Sequence, residues 1–125
     1  MLIFGHSAIT HQKFVYIQSI KQIAKSNNDE IVWFIHKGDF SLIKHCHNNE
    51  IAFGVLVESV SDFVLCASFM PAYIIIRHSA QTFMQIAQNY LFDCKVLYVI
   101  KSEEEIESLA KLGVDGVIFE SALSL

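Results

Sequence analysis

Proline occurs once in this sequence, at Pro71, and glycine only five times in 125 residues. That scarcity removes the loops that cradle phosphate. No G-x-G-x-x-G follows an apolar run, as a dinucleotide fold requires, and no G-x-x-x-x-G-K-[ST] marks a P-loop. A G-x-S-x-G nucleophile elbow is also missing, and no apolar strand ends in the aspartate of a receiver-type phosphoacceptor. Cys46, Cys66 and Cys94 are odd in number and lack C-x-x-C spacing, which fits free thiols in a reducing compartment. Lysine and arginine total nine, scattered, against a net charge of −4; this argues against nucleic acid, whose phosphates need clustered cations. No apolar run approaches the roughly 20 residues that span a bilayer; Ile51–Val57 stops at Glu58. The opening MLIFGHS has no basic flank and too short an apolar stretch for a signal peptide. A cytoplasmic protein with no membrane partner is expected. With no linker, charge block or low-complexity segment, residues 1–125 are expected to form a single α/β domain.

What the chain does have is apolar sequence in short bursts: 53% of it is hydrophobic and its mean hydropathy is +0.40. Lys95–Glu120 shows the pattern most clearly. Val96–Ile100 suits a strand covered on both faces. Ser102 with Glu105 forms a capping box. Ile106, Leu109, Ala110 and Gly113 fall on one helical face, with glutamates in the first turn where the helix dipole favours them. Gly113 supplies the left-handed stop, and Val117–Phe119 is the next strand. A unit this compact implies a parallel crossover.

The same grammar runs through the rest. Leu2–Gly5 reads as a strand followed by a polar connection too short for a helix; residues 13–25 read as a strand at 14–17 with a short helix over 19–25, a single helix being the alternative. Ile31–Ile35, containing the only tryptophan, is a buried strand. A helix opened by Asp39 runs to about Asn48, with Leu42, Ile43 and Cys46 inward. Ile51–Val57 is a strand, then a helix carries Val60, Phe63, Val64, Ala67 and Met70. Tyr73–Ile76 is a strand, and Ser79 caps a helix whose stripe is Phe83, Met84, Ala87, Tyr90 and Leu91. Ser121–Leu125 reads as a tail. The expected fold is α/β, a mainly parallel sheet flanked by helices in a flavodoxin-like three-layer arrangement, with a half (β/α)8-barrel as the alternative.

SEEEIESLAKLGVDGVIFESAL resembles the last βα units of phosphate-binding (β/α)8-barrel proteins such as the isomerases and synthases of histidine and tryptophan biosynthesis. The helix and strand between Val60 and Ile76 resemble an earlier step of the same superfamily, and the chain as a whole resembles a small bacterial protein family. The resemblance implies a phosphate site in glycine-rich turns after the last two strands. Here the first of these turns is Lys101-Ser102-Glu103 and Glu120 stands where glycine is usual, so the phosphate loops are expected to be lost. The chain is also about half the roughly 250 residues of a full barrel.

Parallel strands would gather His6, His36, Glu58, Arg77, His78, Lys101 and Glu120 at their C-terminal ends, where open α/β sheets bind ligands. Five of these follow directly on apolar strands and form the candidate ligand site: His36, Glu58, Arg77, Lys101 and Glu120. Two carboxylates, two fixed cations and an imidazole suit a small zwitterionic or hydroxylated molecule better than a phosphate. Arg77 would clamp a carboxylate, and His36 or Glu58 could move a proton. The bland alternative is that strands leaving a core simply end in polar residues that pair at the rim. His6, His36 and His78 lack H-x-H or H-E-x-x-H spacing, so no metal is expected, and no cofactor. Lys101, beside three glutamates, is expected to stay charged rather than form a Schiff base.

Two functions remain open. One is a non-catalytic structural or regulatory module acting through self-association or protein contacts, which predicts a shallow sheet edge and an apolar surface patch. The other is a small-molecule binder or enzyme at the C-terminal edge of the sheet, which predicts a pocket of roughly 300 Å3 or more. Strands apolar on both faces with few helices to cover them also lead us to expect a homodimer or higher oligomer.

Overall fold

A computed structural model describes residues 1–124. Seven strands form one sheet in the order β1-β7-β6-β5-β4-β3-β2, and every neighbouring pair is parallel. The strands are β1 (Leu2–Phe4), β2 (Phe14–Tyr16), β3 (Ile31–Ile35), β4 (Phe53–Leu56), β5 (Tyr73–Ile76), β6 (Lys95–Ile100) and β7 (Gly116–Phe119). Between them run α1 (Ile20–Ile23), α2 (Ser41–Asn48), α3 (Val60–Ala67), α4 (Ala80–Asn89) and α5 (Ile106–Leu112), and α6 (Glu120–Leu123) follows β7. The expected parallel α/β sheet is what the chain forms, and its curl matches the half-barrel alternative.

Strand alternation divides the apolar residues between two cores. The outer face carries Val32, Phe34, Val55, Ile74, Ile76, Val96 and Val117 against Ile43, Cys46, Phe63, Cys66, Phe83 and Leu109 of α2 to α5. The inner face carries Phe4, Phe14, Ile31, Trp33, Leu56, Ile75, Leu97 and Ile118 with Leu123 of α6. This inner set packs largely on itself, which only a curled sheet permits. Phe4 of β1 lies 5.0 Å from Phe14 of β2 and 5.4 Å from Tyr73 of β5, measured between ring centres. The two edge strands, farthest apart in the pairing order, therefore meet across the interior.

Around those rings there is room for a methyl group at Gly54 and little more. Register places Gly54 between Trp33 and Tyr73, and a Cβ there would meet Trp33, Ile75 and Phe14 at 3.5–3.6 Å. Gly116 is tighter: a Cβ would stand 2.7 Å from the Leu2 carbonyl oxygen, so glycine lets β1 and β7 approach. One deep polar contact joins the inner core to the last helix. Trp33, fully buried, donates its indole N–H to the Leu123 carbonyl at 3.1 Å.

Three local expectations change. The helix that begins near Ser79 ends at Asn89, so Tyr90 and Leu91 leave the inward stripe and are 72% and 83% exposed. Met70 likewise lies beyond α3, 71% exposed. Ser121–Leu123, read as tail, belongs to α6; Leu125 of that expected tail lies outside the described residues. The strand expected over 14–17 forms as Phe14–Tyr16, the helix expected over 19–25 forms as the shorter Ile20–Ile23, and Gly113 (φ +80°) makes the expected stop.

Candidate functional site

The C-terminal ends of β4 to β7 surround a cavity of about 1110 Å3. Its apolar floor is Leu56, Val99, Phe119 and Leu123, and its polar wall includes Arg77, Tyr98, Lys101, Glu105 and Glu120. The wall exists because each strand emerges from the core in the same direction and gives up its first polar residue at the same level. α6 turns back directly after β7, so Glu120, Ser121 and Ser124 face the same space from the far side.

Three of the five candidate residues, Arg77, Lys101 and Glu120, line this cavity together. Glu58 is outside that lining and joins it through Arg77. One oxygen of its carboxylate pairs with the Arg77 guanidinium, and the other lies 3.3 Å from His78 Nε2. Lys101 Nζ stands 3.9 Å from Glu120 Oε2, both well exposed, so this pair is loose and screened. Tyr98 donates its hydroxyl to the Arg77 carbonyl at 3.2 Å, which ties the end of β5 to β6. The fifth candidate, His36, lies elsewhere. Alternation along β3 turns it outward with Val32 and Phe34, under the helices rather than into the mouth.

There His36 is buried, its ring centre 4.6 Å from that of Phe40. Its Nε2 is 3.6 Å from Asp62 Oδ1, and neither ring nitrogen has a hydrogen-bond partner among the described residues. Nearby Asp39 accepts from both the hydroxyl and the backbone N–H of Ser41. Those bonds hold its carboxyl below the usual carboxylate range.

The turn after β6 is occupied by the protein itself. Glu105 Oε2 accepts from the backbone N–H groups of Lys101 at 2.7 Å and Ser102 at 3.1 Å. A carboxylate of the chain itself thus occupies these backbone N–H groups, which could otherwise meet an anion. With Glu58, Glu105 and Glu120 against Arg77 and Lys101, the mouth carries three carboxylates to two fixed cations. The three thiols are buried, and burial pushes Cys46 and Cys94 up to about 11 and Cys66 up to about 12. Among the described residues, no three His, Cys, Asp or Glu side chains are grouped to hold a metal ion. No described helix is long and apolar enough to cross a membrane.

Sequence reasoning missed Tyr98, Glu105, Ser121 and Ser124 as wall and Leu123 as floor. Tyr98 reads as one more apolar member of VLYVI, and Glu105 reads as a cap, which it also is. No protein-family model matches the chain, and no curated protein matches it.

Proposed function

We propose that the protein binds a small zwitterionic or hydroxylated molecule in the mouth of its curled sheet. The observation that carries this reading is the 1110 Å3 cavity in which Arg77, Lys101 and Glu120 converge over an apolar floor. Ligand sites have this composition, an apolar cleft with a few polar groups that orient the ligand. Arg77 offers a carboxylate a two-pronged partner, and Glu120 offers an ammonium or hydroxyl an acceptor. The excess of carboxylate over fixed cation disfavours phosphate, as does the Glu105 side chain on the turn after β6. The curl of the all-parallel sheet supports descent from a barrel half, and the Glu105-filled turn supports the loss of its phosphate loops. The buried free thiols support a cytoplasmic setting.

Thermal-shift and calorimetric titration against free amino acids, hydroxy acids, polyols and phosphosugars tests the reading. A zwitterionic or hydroxylated ligand should raise the melting temperature, since a ligand at about 100 times its Kd adds roughly 2.7 kcal/mol. Arg77→Ala and Glu120→Gln should each abolish that rise. Stabilisation by phosphosugars alone, or by nothing in the panel, overturns it.

A second reading rests on a separate observation. Met70 and Leu91 stand exposed beside Pro71 and Phe92 around a 330 Å3 depression, and Tyr90 is exposed next to Leu91. This apolar patch supports self-association into a homodimer. Light scattering should give twice the 14.2 kDa chain mass, reduced to the single mass by Leu91→Glu. A single mass for the unaltered protein at micromolar concentration removes this reading.

A further inference from the structure

Arg77, His78 and Ser79 form the short link between β5 and α4, and two of them carry chemistry that ligand binding does not use. Ser79 occupies the N-cap position of a ten-residue helix, yet its side chain makes no capping hydrogen bond. Its hydroxyl lies 3.0 Å from His78 Nδ1 instead. The other ring nitrogen, Nε2, lies 3.3 Å from Glu58 Oε2 at the end of β4. Serine, imidazole and carboxylate therefore stand in one relay, assembled from two adjacent strand ends.

The backbone is unusual at the same residue. Ser79 has φ +56° and ψ +40°, a left-handed conformation that costs a non-glycine residue roughly 1–2 kcal/mol. Glu50, Met70, Leu91 and Ser124 share this conformation, but they follow helices, whereas Ser79 stands at a strand-to-helix turn, where such strain can present a side chain. In α/β hydrolases a sharp strand–serine–helix turn does this for the nucleophile. Here the turn lacks the flanking glycines, which is why the sequence pattern does not reveal it.

We propose that Ser79, His78 and Glu58 form a nucleophile, base and orienting acid for hydrolysis of small carboxylic esters. The Glu58 carboxylate, 3.3 Å from Nε2, favours the tautomer that carries its proton there and leaves the Nδ1 lone pair facing the Ser79 hydroxyl. Ser79 Oγ bonds to the ester carbonyl carbon while its proton passes to Nδ1, and the carbonyl π pair moves onto oxygen. The first-turn N–H groups of α4, which precede the helix's first bond from Phe83 N–H to the Ser79 carbonyl, have no intrahelical acceptor. In this mechanism they receive that oxyanion. Collapse breaks the carbon–alkoxy bond, and the leaving alkoxide takes the proton from the imidazolium. A water molecule then attacks the acyl-serine by the same path, releasing the acid and restoring the hydroxyl. Arg77, bound to the other oxygen of Glu58, joins the relay to the mouth cavity. The relay itself stands on the Ser79, His78 and Glu58 contacts and does not need a ligand in that cavity.

Incubation with a fluorophosphonate probe, followed by intact-mass measurement and peptide mapping, tests the assignment. The expected result is one adduct, on the peptide carrying Ser79, and measurable turnover of p-nitrophenyl acetate. Ser79→Gly suits the left-handed backbone and keeps the fold; it should lose the adduct and lower turnover about 100-fold, the scale of lost nucleophilic and general-base assistance. His78→Gln should do the same, while exposed Ser61→Ala leaves both unchanged. Absence of an adduct at Ser79 in the folded protein, labelling of other serines to the same extent, or turnover undiminished in Ser79→Gly overturns the proposal.

Discussion

Burial acts on the three thiols one residue at a time, and its consequence is chemical. Only thiolate attacks a disulfide reagent, and in the folded chain these groups ionise near pH 11 to 12 rather than 9.0. At pH 8, dithionitrobenzoate should therefore react with none of them until denaturant is added, and then with all three. A fast native reaction would show that one of them is open to solvent. The same shift sets an alkaline limit. Below pH 9 the thiols are protonated whether the chain is folded or unfolded, so they cost nothing. Above it the unfolded chain gains by ionising and the folded chain does not, so urea midpoints should fall as pH rises from 9 towards 12. His36, buried with no hydrogen-bond partner among the described residues, is the opposite lesson in legibility. Its place at a strand end was readable, but whether it faced the mouth or the helices depended on whether β3 begins at Ile31 or one residue later. A single step of register turns every side chain of a strand over.

At the scale of elements, helix endings separate what could be read from what could not. α5 was legible because Ser102, Glu105 and Gly113 supply both caps in the expected places. α3 and α4 end in the same left-handed turn, but with Met70 and Leu91 at φ +52°, so nothing in composition marked the stop. The apolar periodicity simply continued past it. Leu91→Gly should remove that backbone strain and raise stability by up to about 1 kcal/mol, read as an upward shift in denaturant midpoint. A fall would mean that the Leu91 side chain, though exposed in one chain, is covered in the assembled protein. α6 was illegible for another reason. Four residues have no helical tendency of their own to speak of; ESAL is helical because Leu123 docks in the inner core and its carbonyl meets Trp33. The elbow at Ser79 was hidden in the same way, since a serine before a helix reads as a cap and only coordinates show the hydroxyl turned to His78.

At the scale of the whole molecule, the curl answers a question that apolar patterning left open. Strands apolar on both faces need two coverings, and the sequence supplied helices for only one. The sheet covers its second face with itself, which removes the shortage of cover that led us to expect an oligomer and leaves the Met70–Leu91 patch as its remaining support. The strand edges are the weak points of such a shell. β1 and β2, three residues each, are hydrogen-bonded on one side only, whereas β4, β5 and β6 are flanked on both. Hydrogen exchange should therefore reach β1 and β2 well before the central strands; equal protection would mean the edges are sealed. Trp33 gives this shell an optical voice. It is the only tryptophan, it sits in the inner core, and its indole N–H is spent on Leu123, which lines the mouth. Its emission colour should therefore report whether that bond and the seating of α6 survive. A single cuvette reading on the unlabelled protein can follow that seating as ligand, ester or denaturant is added.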